Sequence, residues 1–273
     1  MNTPWFTPNR LKRDLKAGKT AIGTMLVEIR QPAVMQFLAN AGFDFVLIDN
    51  EHGPFTIETI ADLSRAARSS GITPIVRVPE LTYASITQPL DAGAQGIMAP
   101  RITNSSEVLS VLQMMKYPPV GKRGSVMARG HTNFQSGPVG EAMQAMNDET
   151  LLIVQVETRE ALEHIEDILA IPGVDVALVG PNDLSIALGK PGNLDDPPFV
   201  QAIERTIASC RRWAVIPAIH VNDLERAASW ARKGMRMVSI SSEAGLMINA
   251  GGRAAAAVKK AFEEDLQNKT ENV

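Results

Sequence analysis

What the sequence lacks excludes several classes of protein. A single cysteine, Cys210, rules out an internal disulfide, and we expect a protein of the reducing cytoplasm. No apolar run approaches the roughly 18 residues that predict a membrane-spanning helix, and the first residues lack the apolar core of a signal peptide. A net charge of −3 with no lysine-rich or arginine-rich run leaves no basic surface for nucleic acid. These absences predict no nucleic acid and no membrane partner, and they name no substrate.

Two further absences limit the chemistry. No G-x-G-x-x-G follows the first apolar run, which weakens a dinucleotide-binding interpretation. Every lysine falls in a predicted helix or loop, so the strand-end lysine of a Schiff-base aldolase is missing. Cys210 lies within a helical pattern and is a poor candidate nucleophile. The remaining option is a metal-assisted reaction in which a histidine transfers protons.

Apolar runs of strand length alternate with helical patterns along the 273 residues. Such alternation, repeated eight times, predicts a (β/α)8 barrel, with a doubly wound open sheet as the rival fold. We expect one domain over 1–265 and a polar C-terminal tail over 266–273. The predicted strands are 21–27, 45–49, 74–78, 95–99, 151–157, 174–180, 215–220 and 236–241.

The segment between the fourth and fifth predicted strands is about twice as long as the other connections. It contains 116–134, which is rich in proline, glycine and arginine. Long loops in compact domains are commonly functional, and a long βα-loop of a barrel lies on the active-site face. We therefore expect this extended loop beside the active site.

Titratable side chains gather where the predicted strands end, which is where (β/α)8 barrels carry their chemistry. The second strand runs into "LIDNEHGP" (47–54), and strand six runs into "GPND" (180–183). In strand five, Gln155 and Glu157 are two residues apart and therefore share a face. The full set of charged groups and histidines at these strand ends is Asp49, Glu51, His52, Arg77, Glu157, Asp183 and His220.

Glu157 and Asp183 are the candidate metal ligands. They end neighbouring strands, and two converging carboxylates repel unless a proton or a cation lies between them. Oxygen ligands without cysteine favour Mg²⁺ or Mn²⁺ over structural zinc. The alternatives are that Asp183 caps a helix and that Glu157 forms a surface salt bridge.

Three other groups near this pair suit substrate binding, charge stabilisation and proton transfer. The helix start at 181–184 offers free amides for a substrate carboxylate. Arg77 could stabilise an oxyanion, or could only pair with Glu51 or Glu80. His52 titrates near neutrality and could move protons, with Asp49 orienting it. His220 has a weaker claim to a role.

Several ordered motifs resemble those of the class II, metal-dependent pyruvate aldolases of the HpcH/HpaI family. They are "GFDFVLIDNEHGP" (42–54), "VRVP" (76–79), "LDAGAQGIMAP" (90–100), "YPPVGKRG" (117–124), "VQVETREAL" (154–162) and "VDVALVGPNDLS" (174–185). The resemblance implies a (β/α)8 barrel, usually assembled as a homohexamer. It also implies reversible cleavage of a 4-hydroxy-2-oxo acid into pyruvate and an aldehyde, with Mg²⁺, Mn²⁺ or Co²⁺ as cofactor.

The resemblance also assigns roles to individual residues. It makes Glu157 and Asp183 the metal ligands, His52 the acid/base with Asp49 as its partner, and Arg77 the group that stabilises the enolate. The remaining assignments are Gln155, Gly180, Pro181, Asn182 and Asp183 as pyruvate contacts, and Glu51, Asp91 and Arg123 as supporting residues.

Asn50, Asn182 and "MARGHTNF" (127–134) depart from the family pattern, and the last of these departures leaves the aldehyde open. The alternatives are a related enolpyruvate lyase or oxaloacetate decarboxylase, and a barrel that binds without turnover.

Overall fold

Eight parallel strands close into a barrel in which each strand pairs with its neighbours in the sequence, from β1 to β8 and back to β1. The computed structural model describes residues 5–271, with side chains as far as 265. The predicted (β/α)8 barrel is confirmed, and every predicted strand is present within two residues of its expected bounds. The strands are β1 Ala21–Leu26, β2 Phe45–Asp49, β3 Thr73–Arg77, β4 Gly96–Ala99, β5 Leu151–Val156, β6 Val176–Val179, β7 Ile216–Val221 and β8 Met237–Ser242.

Helices connect successive strands around the outside of the barrel, and a first helix precedes β1. The sequence has helical patterns at 32–42, 56–71, 86–93 and 159–173, and all four contain helices, although the last is divided at His164. The helices are α1 Arg10–Lys16, α2 Val34–Asn40, α3 Ile57–Ser69, α4 Tyr83–Ala92, α5 Ser105–Met115, α6 Val139–Glu149, α7 Arg159–Glu163, α8 Ile165–Leu169, α9 Pro181–Ala187, α10 Pro197–Arg212, α11 Leu224–Lys233 and α12 Glu243–Glu271, with a 3₁₀ turn at Gly130–Thr132.

Alternation along the strands divides the apolar core into two layers. One layer packs between strands and helices, and the other fills the barrel, where Leu11 and Leu15 of α1 join it from the N-terminal end. The barrel layer includes Phe45, Leu47, Ile75, Met98, Ile153, Leu178, Ala218 and Met237. Two residues further along their strands, the same inward face carries Asp49, Arg77, Gln155, Gly180 and His220. The barrel interior is therefore apolar below and polar at its C-terminal mouth.

The long segment between β4 and β5 does not lie where the sequence predicted. The loop that follows β4 is short, spanning 100–104, and the extra residues come after α5, which has already returned to the N-terminal end of the barrel. There the Nζ of Lys116 donates to the carbonyl oxygens of Asn147 and Thr150, just before β5 begins. The prediction of an extended active-site loop is therefore wrong, and part of the segment is helical.

The chain after β8 forms one long helix, α12, which continues to Glu271. The segment from 266, predicted as a polar tail, is therefore helical as far as that residue. Among residues 5–271, no helix combines the length and apolar character needed to cross a membrane.

Candidate active site

Arg77 and Asp49 form a buried ion pair at the ends of β3 and β2. The Nε of Arg77 donates to Oδ1 of Asp49 at 2.9 Å, and Nη2 donates to Oδ2 at 2.6 Å. Glu51 adds a second carboxylate, with Oε2 3.2 Å from Nη1 of Arg77. Burial lowers the pKa of Arg77, but the hydrogen bonds and charges of Asp49 and Glu51 outweigh it and raise that pKa. The guanidinium is therefore charged and fixed at the barrel mouth.

His52 lies in the turn after β2, and its side chain is 66% exposed. Oδ1 of Asp49 accepts hydrogen bonds from the backbone amides of Glu51 and His52, at 3.1 and 3.3 Å, which fold the turn over the strand end. The expected contact between Asp49 and the His52 ring is not formed, and Asp49 instead accepts hydrogen bonds from Arg77 and from these amides. The Nε2 of His52 lies 3.9 Å from Oε2 of Glu51 instead.

Glu157 follows β5 and is 3% exposed. Its Oε1 accepts a hydrogen bond from the backbone amide of Arg101 at 2.8 Å, and its Oε2 accepts one from Nε2 of Gln155. A Cβ at Gly180 would lie 2.7 Å from Oε2 of Glu157 and 2.8 Å from Nε2 of Gln155, so a larger residue there would displace the ends of these two side chains. The end of β6 is thus shaped around the Glu157 carboxylate.

The surroundings of Glu157 oppose its ionisation. Burial raises its pKa to about 7, and the negative charges of Asp183 and Glu51 act in the same direction. The Arg101 amide and the charge of Arg77 act in the opposite direction. A cation placed beside Glu157 would therefore relieve an unfavourable buried charge.

Asp183 lies in the first turn of α9, where no side chain caps the helix, and its carboxylate is exposed. Within residues 5–265, neither Asp183 nor Glu157 forms an ion pair with a cationic side chain. The alternatives considered for the two carboxylates, a helix cap and a surface salt bridge, are therefore not formed. The negative charge of Asp183 raises the pKa of Glu157, so the two carboxylates lie near each other.

The donor set suits a hard divalent cation. Oε1 of Gln155 is buried without a hydrogen-bond partner, beside the Glu157 carboxylate. No cluster of three or more histidine, cysteine, aspartate or glutamate side chains suited to a metal occurs in the described part of the chain. Mg²⁺ is commonly held by only one or two protein carboxylates, with substrate and water completing its coordination. Glu157 and Asp183 fit such an ion better than they fit structural zinc.

Asp91 and Arg123 are not part of this arrangement. Asp91 lies in the last turn of α4, and Arg123 donates from Nη2 to its Oδ1 at 2.5 Å. The carbonyl oxygen of Asp91 also lies 3.3 Å from Nδ1 of His131. Because α4 runs antiparallel to the strands, its last turn is at the N-terminal end of the barrel. The predicted support of the site by Asp91 and Arg123 is therefore not seen within this chain.

Arg101 belongs to the site but escaped the sequence analysis. Its backbone has a positive φ of 51°, which is uncommon for a residue other than glycine. This conformation accompanies the amide hydrogen bond to Glu157, while Nη2 lies 2.9 Å from Oε1 of Glu51. The available signal was a cationic residue directly after β4 in "MAPR", but no sequence pattern specifies a backbone amide as a donor.

Comparisons with known proteins agree with this fold. Residues 24–250 match the HpcH/HpaI aldolase/citrate lyase family. A 4-hydroxy-2-oxo-heptane-1,7-dioate aldolase from Escherichia coli is 33% identical over 250 residues, which cover 91% of this chain and 94% of that protein. A hydroxypyruvate/pyruvate aldolase from Roseobacter denitrificans is 32% identical, with coverage of 92% and 98%. The crystal structure of an HpcH/HpaI aldolase from Desulfitobacterium hafniense superposes with a TM-score of 0.87 at 30% identity, covering 91% of this chain and 96% of that one. The chain therefore belongs to the HpcH/HpaI aldolase/citrate lyase family.

Proposed function

We propose that this enzyme catalyses reversible, metal-dependent aldol cleavage of a 4-hydroxy-2-oxo acid into pyruvate and an aldehyde, as a class II aldehyde-lyase. One observation carries the proposal. The buried Glu157 carboxylate has no cationic partner among the described residues, and it lies beside Gln155, whose Oε1 is unpaired. The charges of Asp183 and of the fixed Arg77 guanidinium both act on it. This arrangement supports binding of a cation and of an anionic oxygen at adjacent positions.

The cofactor proposed is Mg²⁺, Mn²⁺ or Co²⁺, held by Glu157 and Asp183. When bound, this ion would supply positive charge that stabilises the enolate form of pyruvate. The substrate carboxylate and 2-oxo group would be bound by Gln155 and by the chain from Gly180 to Asp183. Pro181, which has no amide proton, leaves the amides of Asn182 and Asp183 as the donors at the uncapped start of α9.

Arg77 and His52 have different tasks in this mechanism. Arg77 holds its charge toward the 2-oxo oxygen, where negative charge develops as the bond between C3 and C4 breaks. Asp49 and Glu51 keep the guanidinium in place, so little reorganisation is needed. His52 takes the proton of the 4-hydroxyl group during cleavage and returns it to the aldehyde oxygen during condensation. The exposed His52 ring has the freedom to reach the substrate.

The test is an assay of pyruvate release from short and long 4-hydroxy-2-oxo acids. Activity is measured after chelation and again after Mg²⁺, Mn²⁺ or Co²⁺ is restored. We expect activity to disappear with chelator and to return with at least one of these ions, and full activity in chelator would contradict the metal role. Oxaloacetate is included in the assay, because its decarboxylation without turnover of any aldol substrate would identify the alternative enolpyruvate chemistry.

We also propose that the protein is a homo-oligomer, a hexamer by family resemblance. The helix after β8 of a (β/α)8 barrel usually packs on its own barrel. Here Met247, Ile248, Val258 and Phe262 of α12 are exposed, and an apolar groove of 280 Å³ lies open along β1 and α11. Both surfaces would be covered if α12 of one protomer packed on a second copy. The buried thiol of Cys210 is compatible with the cytoplasmic location proposed for the assembly.

A further inference from the structure

The wall of the barrel mouth formed by β7 and β8 is polar but uncharged. His220 faces inward from β7 and pairs in register with Ser239 of β8. The Nδ1 of His220 lies 2.9 Å from Oγ of Ser239, which is fully buried. This contact fixes the ring, and no other hydrogen bond to His220 is formed by the described residues. Its Nε2 is therefore available to a ligand.

His220 shares the barrel mouth with the groups described above. Burial lowers its pKa to about 4, and the charge of Arg77 lowers it further, while Asp49 acts in the opposite direction. The imidazole is therefore neutral at pH 7, and it can donate or accept one hydrogen bond at Nε2. His220 lies near the end of β7 on the same inward face as Arg77 and Gln155, so it is close to the position proposed for the pyruvate part of the substrate.

A small cavity of 110 Å³ opens beside His220, between the start of α9 and the turn that follows β7. Its lining includes Asn182, next to the candidate ligand Asp183, and Asn222. Two amides and a neutral imidazole are suited to hydrogen bonds with hydroxyl groups. The volume suits a fragment of two or three carbon atoms.

The charges around this cavity disfavour a second carboxylate on the substrate. Asp223 lines the cavity and contributes negative charge. Arg226 also lines it, but its guanidinium is paired with Asp195 at 2.8 and 3.2 Å. At the barrel mouth, Arg77 and Arg101 are likewise paired with carboxylates. Among the described residues, no unpaired cationic side chain lines the cavity.

We propose that this cavity binds the aldehyde part of the substrate and that His220 is a specificity-determining residue that hydrogen-bonds a hydroxyl group there. The substrate class is then a 4-hydroxy-2-oxo acid derived from a short, uncharged hydroxyaldehyde, rather than from an aldehyde that carries a second carboxylate. Ser239 is a positioning residue that holds the ring. This inference rests on the proposed function and deepens it.

The test compares condensation of pyruvate with glycolaldehyde and with propanal, which differ by a hydroxyl in place of a methyl group. Loss of one hydrogen bond to a buried hydroxyl predicts that His220→Leu lowers the ratio of the two kcat/KM values about tenfold. His220→Gln, which keeps a donor, should retain more of the ratio, and Ser239→Ala should lower it by less than His220→Leu does. His164→Leu, at the exposed junction of α7 and α8, is the matched control and should leave the ratio unchanged.

Two results would overturn the inference while leaving the proposed function intact. One is an unchanged ratio in both His220 variants and in Ser239→Ala. The other is a wild-type preference for succinic semialdehyde over glycolaldehyde. Exchange of the pyruvate methyl protons with deuterated solvent is measured in parallel on the wild-type enzyme, because it requires no aldehyde. Absence of this exchange would overturn the proposed function, and the inference with it.

Discussion

Asp49 and Arg77 are direct neighbours across strands β2 and β3, and their side chains form a two-pronged ion pair at the barrel mouth. Both residues are buried, at 3% and 8% exposure. Bidentate geometry fixes the plane of the guanidinium as well as its position, which a single contact does not. The orientation of Arg77 therefore depends on a strand register and not on a flexible loop.

Asp49→Asn should destabilise the protein and lower its activity together. The substitution keeps the shape of the side chain but leaves the buried Arg77 charge with Glu51 alone, so we expect a loss of about 3 kcal/mol in the free energy of unfolding. We also expect kcat/KM for cleavage to fall at least tenfold. Urea denaturation and the pyruvate assay measure the two effects. The exposed pair of Asp62 with Arg65 provides the control, since Asp62→Asn should cost less than about 1 kcal/mol. Equal losses in the two variants would contradict the role given to Asp49.

His52→Gln should lower the rate of aldol cleavage by about 10²-fold, because removal of a positioned general base costs this much. The same variant should keep the fold, since the side chain is largely exposed. Steady-state kinetics and circular dichroism are the measurements. His164→Gln replaces a comparably exposed histidine outside the site and should change neither. An undiminished cleavage rate in His52→Gln would remove this residue from the mechanism.

The strands and their inward faces were predictable because apolar runs and two-residue alternation are local properties of the sequence. Alternation alone placed Gln155 and Glu157 on one face. The long segment between β4 and β5 was misplaced because its length does not say whether the extra residues come before or after α5. Asp91 was misplaced for a related reason, since an antiparallel helix carries its last turn to the opposite end of the barrel.

The pairings within the site could not be derived from the sequence. Asp49 is close in sequence to His52, but the register of β2 with β3 offers it Arg77, and the stronger bidentate contact is the one formed. The Arg101 amide reaches Glu157 only through a backbone conformation that no residue pattern specifies. Long-range contacts of this kind depend on the closed barrel.

Glu157→Gln should stabilise the metal-free protein at pH 8. The same substitution should abolish the stabilisation that added metal gives the wild-type protein. In the wild-type chain the carboxylate is ionised at this pH and buried without a cationic partner, so its neutralisation should add about 1–3 kcal/mol to the free energy of unfolding. Added Mg²⁺ or Mn²⁺ should raise the melting temperature of the wild-type protein and not that of the variant. Glu141→Gln, at an exposed position of α6, is the control. A variant that is less stable in chelator, or that keeps the metal response, would contradict the assignment.

Phe262→Asp should shift the protein to a smaller oligomer. Met247, Val258 and Phe262 fall within about 60° of one another around α12, so they form one apolar stripe on an exposed helix. A carboxylate in a buried interface would be desolvated without a partner, and the assembly should weaken. Light scattering after size-exclusion chromatography gives the mass. Glu263→Lys alters the neighbouring residue on the opposite face and should leave the mass unchanged. A wild-type monomer would refute the proposed assembly directly.

Lys116 should make the stability of the protein rise with pH just above neutrality. Its Nζ is buried and donates to the carbonyl oxygens of Asn147 and Thr150, the second of which also accepts from Lys12. Burial lowers the pKa of Lys116 to about 7, and the charge of Lys12 acts in the same direction. Between this value and the ordinary lysine value of 10.5, the unfolded chain holds a proton that the folded chain has released. The unfolded state therefore binds more protons, and the free energy of unfolding increases with pH by up to about 1.4 kcal/mol per unit.

The measurement is urea denaturation between about pH 7.5 and 8.2, a window above the pKa of Glu157 and below the ordinary pKa values of cysteine and tyrosine. Lys116→Met keeps the length of the side chain and removes the titrating group, so its stability should be lower overall and should change much less with pH. Lys122→Met, at an exposed position of the same segment, should retain the wild-type slope. A wild-type slope near zero in this window would mean that Lys116 stays protonated in the fold. Its charge would then be offset by the two carbonyl oxygens and Asp175, and burial would not control its titration.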